Sequence, residues 1–194
     1  MRRRAEARDG VREKILRATM QAHDEKGVAP TTFAEIAERA GVGPATVHRH
    51  FPTLGELVRA CGAHVWQEMR PPTPDIAATV FAGLSTERQR LQRLVEEMDA
   101  FYARGALRLG LAARDRDLVP ELDQFLKAVE SGVEALVREA LTLGGSSERV
   151  VQVVVALTGL PVWSAFDRLA LGAAELTQLK VNLLDCAIRS ARRF

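Results

Sequence analysis

Cysteine is scarce in this chain: Cys61 and Cys186 are its two, far apart in sequence. Two such thiols make neither a disulfide framework nor the paired spacing of a structural zinc site, and a reducing cytoplasm is the natural compartment. Long apolar runs are lacking too. The longest, residues 153–166, is interrupted by Thr158, Gly159, Pro161 and Ser164, and falls short of the roughly 18 apolar residues that a membrane span requires, so no membrane partner is expected. The basic residues 1–4 lead into a charged segment, not an apolar core, so no secretory signal is expected. Lysine is rare: Lys14, Lys26, Lys127 and Lys180 are the four among 27 basic residues. Catalytic signatures are missing as well. There is no Gly-x-Ser-x-Gly, P-loop, His-Glu-x-x-His or Rossmann glycine pattern. Glu96, Glu97 and Asp99 read as a solvated helix face, and Asp115 and Asp117 as turn and cap residues. No enzyme, cofactor or metal is expected. His48 and His50 stand two apart, about 200° around a helix, and cannot share one ion.

What remains is an ordinary globular composition, 47% hydrophobic and 27% charged over 194 residues, enough for one large domain or a small one and a medium one. The net charge is only +2, but it is unevenly placed. Residues 1–17 carry seven basic groups against Glu6, Asp9 and Glu13. A basic N-terminal arm suggests an acidic polymer as partner; a solvated tail has the same composition.

The pattern reads as helix after helix. Val11, Ile15, Ala18 and Ala22 make the apolar face of a first helix that ends at Gly27, ahead of Pro30. Thr32-x-x-Glu35 is a capping box, and Gly41 closes that second helix as a left-handed cap. Gly43-Pro44 opens a third, with Val47 and Phe51 buried and Pro52 ending it. Thr53-x-x-Glu56 caps a fourth. The prolines in residues 70–74 mark a boundary, giving domains at 1–70 and 71–194. Beyond it, Thr73, Ser85 and Asp117 are expected caps, the last for a long helix with Leu118, Leu122 and Phe125 on its face. Residues 150–155 also fit a buried strand, but the apolar stretch is long, so a helix is expected, interrupted at Pro161. The last helix, about 173–192, carries two adjacent stripes: Leu176, Leu179, Leu183, Ala187, and Thr177, Val181, Leu184, Ile188. Two stripes suggest burial from two sides, as in a homodimer. The fold class is all-α: a three-helix head with a connecting fourth helix, then a bundle of about five helices.

Residues 31–51, two short helices around a glycine-containing turn, form a helix-turn-helix pattern. The second of these helices enters the major groove of DNA, about 12 Å wide, and needs small or polar residues outward. Pro44, Ala45, His48 and Arg49 face out, with Thr46 and His50 flanking. Arg49 can donate two hydrogen bonds to a guanine edge, and Thr46, His48 and His50 suit phosphates. Thr31, Thr32, Gly43 and Thr53, at the helix ends, complete the expected DNA-binding set.

At Thr31-Thr32, Ile36-Ala37, Ala40-Gly41-Val42, Thr46, His50-Phe51 and Leu57 the chain resembles the DNA-binding domain of the TetR family of bacterial regulators, over about residues 11–66. It departs from the family at His48, where tyrosine is common, and at Leu54, where lysine is common. The resemblance implies a dimeric regulator that binds a palindromic operator on double-stranded DNA, with a ligand cavity in its C-terminal domain. Phe81, Met98, Phe101, Tyr102, Phe125, Trp163 and Phe166 would line that cavity, with Arg104, Ser164 and Asp167 as polar handles. Such a lining expects a small, mainly apolar ligand. The expected function is a repressor released by that ligand. An activator, or a regulator answering to a protein, is the alternative.

Overall fold

The computed structural model describes the backbone of residues 2–193 and the side chains of residues 8–193. Among the described residues every regular element is helical, as the sequence leads one to expect. In chain order these are α1 (Arg2–Lys26), α2 (Phe33–Ala40), α3 (Pro44–His50), α4 (Leu54–Met69), α5 (Pro74–Val80), α6 (Glu87–Asp115), α7 (Pro120–Ala140), a 3-10 turn (Thr142–Gly144), α8 (Glu148–Leu157), α9 (Leu160–Phe166) and α10 (Ala173–Ala191). Among the described residues no single helix is long and apolar enough to cross a membrane. The chain divides into two units, and the division is not one cut near residue 70. Residues 107–126 group with the N-terminal 1–68, and residues 69–106 with 127–194.

The N-terminal unit is built on one small core. Ile15 and Leu16 from α1, Ile36 and Ala37 from α2, Val47 and Phe51 at α3, and Leu57 and Cys61 from α4 bury together. Burial pushes the Cys61 thiol up to about 12, so this cysteine packs as a small apolar residue. Local chemistry sets the helix ends. The Glu35 backbone N–H donates to Thr32 Oγ1 at 3.3 Å. The Glu35 carboxylate does not return to the cap. It pairs instead with Lys26 at 2.5 Å and Arg39 at 3.2 Å. Gly41 stands at φ 64°, its N–H bonded to Glu38 O, while the Val42 N–H reaches back to Ala37 O. That double closure needs a left-handed residue, which glycine adopts without steric cost.

The C-terminal end of α6 completes this unit. The Val28 and Ala29 backbone N–H groups donate to Asp115 Oδ2 at 2.7 and 3.0 Å. The Arg114 side chain donates to the same carboxylate and to Lys26 O. Arg108 forks onto Asp24 at 2.8 and 3.0 Å and also donates to Glu68. Asp115 is therefore a buried bracket on the loop after α1, and more than a turn residue.

Past residue 70 three sequence expectations need correction. Thr86, not Ser85, caps α6: its Oγ1 accepts from the Gln89 N–H, and the Gln89 side chain accepts from the Ser85 and Thr86 N–H groups. The expected cap Asp117 lies in a turn, and α7 begins at Pro120, which has no N–H to leave unsatisfied. Leu118, expected on the buried face of that helix, is in the same turn and exposed. The valine-rich segment is helical, and Pro161 falls at the start of α9, which bends 49° from α8. Among the described residues the bundle thus holds six α-helices where about five were expected. Gly132 on α7 is a fixed point, because a Cβ there would collide with the Pro72 carbonyl. Arg90 ties α6 to the end of α7, donating to Glu139 O at 2.6 Å and Thr142 Oγ1 at 2.8 Å.

Candidate functional site

The outward face of α3 is set by what its inward face must bury. Val47 and Phe51 are enclosed in the core, so a helix of seven residues has its remaining register fixed. Pro44, Ala45, His48 and Arg49 come out exposed, with Thr46 and His50 half-buried beside them. Gly43 caps α3 and Pro44 occupies its first turn. The His48 ring packs against Phe33 at 4.7 Å between centroids. Thr32 and Thr53 are exposed N-caps, accepting from Glu35 and Glu56 N–H groups. Thr31 is placed differently. It is buried, and its hydroxyl donates to Gly27 O at 2.8 Å, so its side chain serves the α1–α2 loop and does not lie on the open face.

Two arginines join this face that motif reading did not assign. Arg12 of α1 stands over the Phe51 ring at 4.9 Å. The His50 imidazole is pushed below its ordinary value by burial first, then by the positive charge of Arg49, Arg8 and Arg12, with Asp9 opposing. The end of α3 and the Arg8 and Arg12 side chains of α1 therefore share one cationic surface. The signal was present in the basic count of residues 1–17. Which of those residues face α3 depends on the fold. The side chains of Arg2, Arg3 and Arg4 lie outside the described residues.

The expected ligand set is only partly assembled. Phe101, Tyr102, Trp163 and Phe166 form a row in the C-terminal unit, with successive centroids at 5.1, 6.1 and 6.4 Å. Phe81 and Met98 are fully buried in that unit. The Tyr102 hydroxyl donates to Thr158 O at 2.8 Å. Phe125 belongs to the other unit, edge-on to Trp66 at 5.6 Å. Arg104 caps the end of α4, donating to Met69 O at 2.8 Å. Ser164 is half-buried on α9, and Asp167 is that helix's exposed C-cap. Two residues beside the aromatic row escaped sequence reading. Asp99, read as a solvated face, accepts from the Trp163 Nε1–H at 2.6 Å and from Lys180 at 2.5 Å. Lys180 is almost wholly enclosed. A lone lysine between the apolar stripes of the last helix was the available clue.

Comparison with known proteins bears on this geometry. Residues 15–61 match the model of bacterial regulatory proteins of the tetR family. The chain is 42% identical over 60 residues to the HTH-type transcriptional regulator TtgR of Pseudomonas putida, a match covering 31% of this chain and 29% of that relative. Its fold is similar to that of a TetR transcription regulator from Haloarcula marismortui, with TM-score 0.57, 16% identity, and 94% and 98% of the two chains covered. It is also similar to LfrR from Mycobacterium smegmatis in complex with proflavine, with TM-score 0.51, 23% identity, and 93% and 97% covered. The head therefore matches the tetR-family DNA-binding motif over residues 15–61, and nearly the whole chain shares the fold of these structures.

Proposed function

We propose that the protein is a DNA-binding transcriptional regulator, a homodimeric repressor that occupies a palindromic operator and leaves it when a small molecule binds the C-terminal unit. The observation that carries the reading is α3. It is anchored by buried Val47 and Phe51 while Pro44, Ala45, His48 and Arg49 stand exposed beside a cationic surface. Small outward residues let the helix enter a groove about 12 Å wide. Arg49 is the base-reading candidate, and Thr46, His48, His50, Arg8 and Arg12 are suited to phosphates. A dimer is needed because two recognition helices must reach successive major grooves about 34–36 Å apart.

Ligand response rests on the aromatic row of the C-terminal unit, and a relative of the same fold holds proflavine. The test is a gel shift on DNA upstream of the protein's own gene. Binding should saturate there and fall steeply with salt. Arg49→Ala should weaken specific binding by about 1–3 kcal/mol, with much less effect on random DNA. Equal operator affinity in the variant would remove α3 as the reading helix.

A further inference from the structure

Two buried hydrogen-bond donors converge on one carboxylate oxygen in the C-terminal unit. The Lys180 ammonium on α10 and the Trp163 indole N–H on α9 donate to Asp99 Oδ1 at 2.5 and 2.6 Å. The ammonium also lies 4.4 Å from the Trp163 ring centroid and 5.7 Å from that of Phe166. The Lys180 side chain is 3% exposed, whereas the Asp99 side chain on α6 is 34% exposed. A buried ammonium requires a counter-charge, but that requirement does not specify which carboxylate supplies it. Asp99 is the member of the trio with a route to water. It can turn outward and be hydrated, while the two donors stay enclosed.

We propose that Lys180 and Trp163 form a receptor for the carboxylate of a small amphiphilic acid, and that Asp99 fills it as the chain's own stand-in until such a ligand arrives. This rests on the ligand-responsive reading above and names its ligand class. Exchanging one carboxylate for another leaves the charge of the buried site unchanged. An ammonium ligand would instead have to expel Lys180, and a neutral one would leave both donors without an anion. The apolar body of the acid would lie along Tyr102, Trp163 and Phe166, which flank the donors. The element that yields is α9, seven residues long and set off from α8 by a 49° bend. Displacement of Asp99 releases its own ties from α6 to α9 and α10, while the Arg88–Asn182 and Arg192–Glu87 links still join α6 to α10. The far end of the same helix carries Arg108, bonded to Asp24 of α1 and Glu68 of α4, and Asp115, which holds the loop after α1. A carboxylate ligand thereby gains a difference in contacts between two states, which a population shift requires.

The test uses the full chain with Trp66→Phe, so that Trp163 is the single indole reporter, titrated with decanoate, decanol and decyltrimethylammonium. Decanoate should bind at least about tenfold more tightly than decanol, the worth of one charge-assisted hydrogen bond, and the cation should bind most weakly. Asp99→Ala removes the stand-in. Decanoate affinity should then rise, and acetate should restore the variant's lowered melting temperature where chloride does not. Lys180→Met should erase the preference for decanoate over decanol. If that variant does not fold, the acetate rescue of Asp99→Ala decides. No gain in decanoate affinity and no selective rescue in Asp99→Ala would reduce the trio to a structural ion pair, and tighter binding of the cation would overturn the ligand class. A gel shift run in parallel separates the two readings. Carboxylate selectivity without operator binding would sink the regulator, and operator binding without selectivity would sink the receptor.

Discussion

Two histidines of the N-terminal unit carry opposite pH signatures. His50 sits among Arg49, Arg8 and Arg12 and is held below its ordinary value by burial and by their charge. A phosphate approaching that surface offsets the arginines' charge and, by accepting a hydrogen bond from the protonated ring, raises the imidazole's affinity for a proton. Operator binding should therefore take up protons and tighten as pH falls, by at most about tenfold per pH unit for each protomer, and level off once free His50 is itself protonated. Gel shifts from pH 8 to pH 5.5 would check this, with His50→Gln expected to flatten the profile. His23 is buried near the end of α1, its Nε2 without a hydrogen-bond partner among the described residues, and burial lowers it to about 4 against the attraction of Asp24, Asp115 and Glu35. Here the unfolded chain binds the proton first. Stability should be full above about pH 6.5 and fall as pH drops toward 4, by roughly 1.4 kcal/mol per unit and about 3 kcal/mol in all. Urea unfolding at pH 7 and pH 4.5 measures it. A His23→Leu variant should lose most of this slope, and an unchanged slope would remove His23 as its source.

At the scale of elements, the bracket from α6 is the feature that ties the head together. Asp115 satisfies two backbone N–H groups of the α1–α2 loop. Asp115→Ala should leave both without their acceptor and cost about 1–3 kcal/mol, read as a lower melting temperature with the far-ultraviolet spectrum preserved. Operator affinity should fall as well, since that loop leads into α2. None of this was legible in the sequence, because Asp115 and Val28 are 87 residues apart and periodicity carries no record of such pairing. The head itself was legible because its determinants are local: the cap at Thr32, the left-handed Gly41, Pro44 at the start of α3, and Val47 and Phe51 four apart. Ser85 and Asp117 misled for a related reason. Both residue types favour caps, but the Thr86–Gln89 exchange satisfies more N–H groups than Ser85 would, and Pro120 fixes the start of α7. The ligand set was the least legible part. Aromatics crowd any core, and only the fold places Phe125 in the N-terminal unit and Trp163 beside Lys180.

For the whole molecule, the question is which surface would close the proposed dimer. The last helix carries two apolar stripes, and a single chain buries one of them. Val181, Leu184 and Ile188 are enclosed within the chain, with Val181 at 3%, whereas Leu179 and Leu183 remain 40% and 38% exposed. α8 packs beside α10, and its own valine-rich sequence leaves Val155 and Ala156 partly or fully uncovered. Two copies related by a two-fold axis would present the same helix pair to each other, which is the self-complementary arrangement of a closed dimer. The two stripes therefore make different predictions for the same substitution. Val181→Glu buries a carboxylate in the chain's own core and should unfold the C-terminal unit. Leu183→Glu leaves the monomer folded and places like charges across the two-fold axis, where each unpaired buried carboxylate costs several kcal/mol. Sedimentation should show a dimer for the parent protein and a folded monomer for Leu183→Glu. Its operator affinity should collapse with it, because one recognition helix alone reaches one half-site. A Leu183→Glu protein that stays dimeric at micromolar concentration would move the interface off the exposed stripe of α10.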